Sequence, residues 1–260
     1  MKKYETILYD KKGHVAKITL NRPEKLNAMN SQLSYDVADA LADAEKDKNI
    51  IALILTGAGR GFCAGADLGE VKLAQENPEI AKKRENAPRL LELLNVFPKP
   101  VVAAVNGVAT AGGFELILYS DIVVAADTAR IGDAHANFVG IGPAATTLAP
   151  YRMNRKKANE LLLTGDIWPA VELEKAGLVN HVVPADKLME KAEEIANKIA
   201  SHMPLAMIAA KDIMNRAGLS DPDTLWAYVN EVCQRISKTE DFTEGMKAFA
   251  EKRTPVFKGQ

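Results

Sequence analysis

Short, almost wholly apolar runs alternate along this chain with longer stretches in which apolar positions return every three or four residues. The runs at 4–9, 14–20, 51–55, 100–105 and 121–126 predict strands, the continuous ones strands covered on both faces. A turn at 10–13 joins the first two, and Pro23, which has no amide to donate, closes the second. Leu33, Val37, Leu41 and Ala44 then mark one face of a helix, with Ser31 as its expected N-cap. Helical patterning resumes at 113–119 and, after Pro143, over 152–163; residues 177–183 predict the last strand, ended by Pro184. From 185 onward the period is helical throughout, in four stretches at 185–201, 204–217, 222–238 and 243–252. The pattern is that of an α/β core followed by a helical tail. Its strand and helix units return at about residues 14, 51, 100 and 121 without strict sequence repetition.

A doubly wound nucleotide-binding sheet needs G-x-G-x-x-G directly after its first strand. Here Asp10-Lys11-Lys12-Gly13 stands there, so that fingerprint is absent. Residues 101–126 are nearly long enough to cross a bilayer. Asn106, Glu115 and Asp121 interrupt them, and with Gly107, Gly112 and Gly113 they fit a buried strand, turn, helix and strand better. The N-terminus lacks the apolar core of a secretory signal, so a soluble protein is expected. Thirty-three Lys+Arg against 34 Asp+Glu leave a net charge of −1, which provides no global field for nucleic acid or an anionic membrane. Cys63 and Cys233 match no metal-binding spacing. Reduced thiols in the cytoplasm are expected, and no metal site.

Two segments carry chemistry: Gly61-Phe62-Cys63-Ala64-Gly65-Ala66-Asp67-Leu68, and the stretch from Asn106-Gly107 through Ala111-Gly112-Gly113-Phe114-Glu115-Leu116. Each places small residues where a strand ends and a helix begins. Small side chains there leave backbone amides open at the positive end of a helix. Two such amides aimed at one point would hold the oxygen of an enolate or a tetrahedral adduct. Taken singly, each segment also suits tight strand-to-helix packing.

Phe62–Leu68 resembles the F-x-A-G-A-D-L/I signature of the enoyl-CoA hydratase/isomerase (crotonase) superfamily. Asn106–Leu116 is similar to its second signature, N-G-x-A-x-G-G-G-x-E-L, with Ala111 where the first of three glycines is usual. Asn21-Arg22-Pro23 with Leu26-Asn27-Ala28-Met29, Leu163-Thr164-Gly165-Asp166 and Ala176-Gly177-Leu178-Val179-Asn180 resemble its other landmarks, in unbroken order from about residue 4 to the C-terminus. The resemblance implies a ββα spiral core, taken as residues 1–195 and bearing the CoA-thioester site. It also implies a helical trimerisation region at 196–260, and homotrimers or dimers of trimers. It implies an acyl-CoA substrate, as in fatty acid metabolism, and no cofactor beyond the coenzyme A of that substrate. By the same likeness the oxyanion-hole amides fall on Ala66 and Gly112. The CoA pocket falls on the backbone around Lys25, Leu26, Ala28, Ala64 and Ala66, with Phe257 and Lys258 approaching near a subunit boundary. The acyl pocket is expected near 71–89, and Asp67 as a helix cap rather than a group acting on substrate.

Hydratases of the superfamily have two glutamates, one in G-G-x-E-L and one in a later F-G-x-P-E. Glu115 occupies the first position, whereas Ile131-Gly132-Asp133-Ala134-His135 puts His135 at the second. A histidine can serve there as acid or base near neutral pH. The pair Glu115 and His135 therefore predicts an enoyl-CoA hydratase. Isomerisation of a double bond, or C–C or thioester hydrolysis, is the alternative on the same oxyanion hole, and a non-catalytic CoA-ester binder is the alternative of another class. Asp133 is placed either to orient the His135 ring or to face solvent. His14, His181 and His202 sit at element edges, Trp168 is expected to pack at a helix start, and Cys63 is expected to pack rather than attack.

Overall fold

The structure, a computed structural model, describes residues 3–138, 140–217 and 220–260. The two N-terminal apolar runs form an antiparallel hairpin of β1 (Ile7–Lys12) and β2 (Val15–Leu20). Parallel strands β3 (Ala52–Gly57), β5 (Val101–Val105), β7 (Ile122–Ala126) and β10 (His181–Val183) extend it to a six-stranded sheet in the order β1-β2-β3-β5-β7-β10. β5 is buried along its whole length and β3 up to its last residue, as expected of runs without polar alternation.

A second sheet was not legible in the hydrophobic pattern. It contains β4 (Gly61–Cys63), β6 (Val108–Thr110) and β8 (Arg130–Gly132), parallel to one another, and β9 (Trp168–Pro169) antiparallel to β8. Trp168 lies in this strand, two residues before the helix that starts at Ala170, and packs against the core, as expected of a packing residue at a helix start. The chain steps from one sheet to the other three times, β3 to β4, β5 to β6 and β7 to β8, and enters helical structure after each step. This is the expected ββα spiral.

Helix α1 (Ser31–Lys46) buries Leu33, Val37, Leu41 and Ala44. Its N-cap is Asn30, whose side chain accepts from Leu33 N, and not Ser31, which is the first helical residue. α2 (Leu68–Glu76) and α3 (Pro78–Glu85) bury nothing, while α4 (Leu90–Val96) buries Leu90 and Leu94. α5 (Gly112–Leu118) is buried on every side, which fits a helix apolar all round except at Glu115. After it come α6 (His135–Phe138), α7 (Pro143–Arg152), α8 (Arg155–Thr164) and α9 (Ala170–Lys175).

α10 (Leu188–Ala200) crosses position 195 and lays Leu188, Ala192, Ala196 and Ala200 on β3, β5 and β7. Small residues four apart let it approach closely. The remaining helices are α11 (Pro204–Arg216), α12 (Pro222–Ile236) and α13 (Glu240–Glu251). Buried Lys211 ties α11 to the core, with Nζ 2.7 Å from Asp121 and 3.0 Å from the Lys99 carbonyl. Among the described residues no helix is long and apolar enough to cross a membrane.

Candidate active site

The order β4-β6-β8 decides where the site lies. These neighbouring parallel strands, paired at Cys63 with Ala109 and at Thr110 with Gly132, all end on the same edge. Segments 64–67, 111–112 and 133–135 leave that edge side by side, within the few ångströms that separate paired strands. Residues up to 72 positions apart in the chain (63 and 135 flank the set) are thereby neighbours.

Gly65 has φ +92 and packs against Gly112 without space for a side chain. A Cβ on Gly65 would stand 2.9 Å from Ala111 Cβ and 3.0 Å from the Gly112 nitrogen. The Ala66 amide, bonded to the Gly65 carbonyl carbon, therefore adjoins the Gly112 amide. Neither N–H donates to a protein acceptor among the described residues. Ala111 adopts φ 51, ψ −120, a region that strains any residue with a Cβ. That turn sets the direction of the Gly112 N–H, and it falls where the family signature has glycine.

The loop before α1 braces the first segment. Met29 N donates to Gly65 O at 2.7 Å, Asp67 N to Met29 O at 2.9 Å and Ala64 N to Leu26 O at 3.0 Å. Wholly buried Asn27 accepts from Arg22 N and donates to Ala58 O and Gly61 O. Arg22 reaches Asp67 at 2.8 Å. Asp67 also caps α2 through Gly69 N and Glu70 N. Burial by itself raises the Asp67 carboxyl, but the Arg22 hydrogen bond and the two amides bring it below its ordinary value. Lys25, Leu26, Ala28 and Ala64 thus lie in one braced unit beside Ala66.

Glu115 is only 3% exposed. Its Oε1 accepts from Ala144 N at 2.9 Å and Ala145 N at 3.1 Å. These are orphan donors of the first turn of α7, whose N-cap, Gly142, offers no side chain. Glu115 therefore caps α7 from α5 through Oε1. A cavity of about 410 Å³ opens onto it, lined among others by Met29, Ser34, Arg84, Leu90 and Tyr119. Of the stretch 71–89 expected to form an acyl pocket, this cavity touches only the end, from Arg84 on, and it also draws on Met29 to Ser34 at the start of α1. Burial, then the Glu115 charge, raises the Tyr119 phenol above its ordinary value.

His135 opens α6, with its side chain 16% exposed and its Nδ1 in a short contact with Asp133 Oδ1. A Cβ at Gly142 would stand 2.6 Å from His135 Nδ1 and 3.0 Å from Glu115 Oε1. The two residues therefore face one another across a gap about one atom wide. Asp133 is buried and does not face solvent.

Cys63 is fully buried, and burial pushes its thiol up to about 12, as expected of a packing residue. Phe257 and Lys258 lie elsewhere. Lys258 N and Gly259 N donate to buried Asp241, and the Phe257 ring rests beside Gly245 on α13. No group of three or more metal-ligating side chains occurs among the described residues.

Residues 10–260 match the family model described as Enoyl-CoA hydratase/isomerase. The chain belongs to the enoyl-CoA hydratase/isomerase family. A short-chain-enoyl-CoA hydratase of Clostridium acetobutylicum is 39% identical over 254 residues, covering 95% of each chain. A 1,2-epoxyphenylacetyl-CoA isomerase of Escherichia coli is 34% identical, over 98% of this chain and 99% of the relative. The crystal structure of an enoyl-CoA hydratase from Bacillus anthracis superposes with a TM-score of 0.91 at 36% identity, over 98% of this chain and all of that one. Like its relatives, this family member has the crotonase fold.

Proposed function

We propose that this family member adds water across the 2,3-double bond of an enoyl-CoA thioester. The observation that carries the reading is the opposition of Glu115 and His135 across Gly142, beside two open amides at Ala66 and Gly112. In this reading the thioester oxygen accepts from both amides and becomes an electron sink. Glu115, with Oε1 occupied by two amide donors, takes a proton from water through Oε2. The water oxygen bonds to C3 and the π pair moves onto the thioester as an enolate. His135 gives a proton to C2, and the proton on Glu115 returns to His135. One water is consumed and both groups are restored; with the substrate laid along one side of the Glu115–His135 pair, addition is syn. No cofactor is invoked beyond the CoA of the substrate.

The backbone at Lys25, Leu26, Ala28, Ala64 and Ala66 is the proposed CoA pocket. Phe257 and Lys258, held on α13, would reach a CoA across a subunit boundary. Exposed Met214, Trp226, Met246, Phe249 and Val256 support a tail that trimerises, and two free cysteines support a cytoplasmic setting.

His135 in place of a second carboxylate favours one further reading, double-bond isomerisation by the same proton carriers. Crotonyl-CoA, a 3-enoyl-CoA and a β-keto acyl-CoA separate the outcomes. Loss of enoyl-thioester absorbance without thiol release supports hydration, thiol release supports thioester hydrolysis, and product mass reveals C–C cleavage. Glu115→Gln retains an oxygen for the α7 amides. We expect turnover to fall by roughly 10²–10⁴-fold with CoA-ester affinity nearly unchanged; a fully active variant removes Glu115 from the mechanism.

A further inference from the structure

We infer that Asp133 is a positioning residue of this site: it fixes the Nδ1–H tautomer of His135, so that Nε2 is the atom that exchanges the substrate proton. The inference rests on the proposed role of His135 and extends it. A glutamate at that position has two equivalent oxygens and needs no selection. An imidazole has two distinct nitrogens, only one of which can carry the reaction, and the proton on a neutral ring follows the partner of the other nitrogen. Replacing a carboxylate by histidine therefore calls for a second group that chooses the tautomer.

Asp133 has the required placement. It directly follows Gly132, the last residue of β8, so its backbone is fixed by the sheet that also carries the open amides. Its side chain is 5% exposed, and no lysine or arginine lies within ion-pair distance among the described residues. Oδ1 faces His135 Nδ1 in a short contact and also accepts from His135 N at 3.2 Å. Glu115, across the Gly142 gap, is the other ionisable group brought close to the ring. With both Asp133 and Glu115 on the Nδ1 edge of the ring, Nε2 is left for substrate.

A purely local role competes with this: Oδ1 on His135 N is also an Asx turn that caps α6. Asparagine separates the two roles. Its carbonyl serves the cap equally well, but its amide can turn an N–H toward Nδ1 and invert the tautomer, a change that is costly in other His-carboxylate pairs. For Asp133→Asn we expect kcat to fall about 100-fold or more with KM nearly constant, and no additional loss when it is combined with His135→Gln. At a pH where the ring is neutral, ¹⁵N spectra of the histidines should show the His135 proton on Nδ1 in the wild-type protein, and in Asp133→Asn on Nε2. Wild-type kcat in Asp133→Asn together with an impaired His135→Gln overturns the Asp133 assignment and leaves the role of His135 standing. A wild-type spectrum with the neutral proton on Nε2 overturns it without any variant. A fully active His135→Gln instead removes His135 itself, and Asp133 with it.

Discussion

Gly142 has φ −86 and ψ 113, a conformation open to any residue; the space beside it, not its backbone, demands glycine. A methyl group there would enter the gap between His135 and Glu115. Gly142→Ala should therefore fold, at a cost of about 1 kcal/mol for the poorer N-cap. It should still lose on the order of 10²-fold in kcat, as misplacement of reacting groups by an ångström does. Normal turnover in a folded Gly142→Ala protein would show that the spacing of the two groups across Gly142 does not matter to the reaction. At this scale the candidate residues were legible but their environments were not. Glu115 was readable as a carboxylate in an apolar helix. Its partners, 29 and 30 residues away on α7, have no local pattern that announces them. Asp133 left solvent and imidazole equally open, and only burial decides between them.

Among elements, the long ones were readable and the short ones were not. Five strands of the large sheet and α1, α10, α11, α12 and α13 follow from apolar runs or helical periods sustained over five residues or more, and three-residue β10 was legible only as the end of the run 177–183. β4, β6 and β8 have three residues each, too few to show a period, and they lie inside segments whose small residues suggest loops. The cap of α1 shifted by one position because Asn30 and Ser31 are both good cap residues. The loop carrying Ala66 is held to the Arg22 loop by Asp67, and its dependence on acid follows in sign. A carboxyl whose folded value lies below its unfolded value, about 3.9, stabilises fully above that pH. The contribution disappears as the pH falls through the lower folded value. The stability difference between wild type and Asp67→Asn should thus be constant above about pH 5 and shrink below about pH 4. Chemical denaturation across that range measures it; a gap that widens toward acid would contradict the Arg22 link.

For the whole molecule, α11 of the helical tail is tied to the spiral by an ion pair between buried Lys211 and half-buried Asp121 as well as by apolar contact. Burial lowers the Lys211 ammonium below its ordinary value, and Asp121 opposes that shift. Asp121 also accepts from Val101 N at 2.7 Å, so it links α11, β5 and the start of β7. Asp121→Asn removes the charge facing the buried Lys211 cation, which keeps only neutral acceptors such as the Lys99 carbonyl, and should cost roughly 1.5–3 kcal/mol. Replacing Lys211 by Met in the same protein should restore much of that. A loss under about 1 kcal/mol in urea unfolding would mean that the pair is not needed to hold the tail. The spiral and the tail were both predictable as classes, since strand signal ends where the tail begins. Their connection was not, because Asp121 and Lys211 meet only after the sheet has formed.

The three strand exits divide their labour. Those after β4 and β6 present main-chain N–H groups in turns too tight for a side chain at Gly65 or Gly112, whereas the one after β8 presents an imidazole and its carboxylate neighbour. In the proposed mechanism, a substitution at this last exit would therefore change the proton carriers without moving the two main-chain donors assigned to the thioester oxygen.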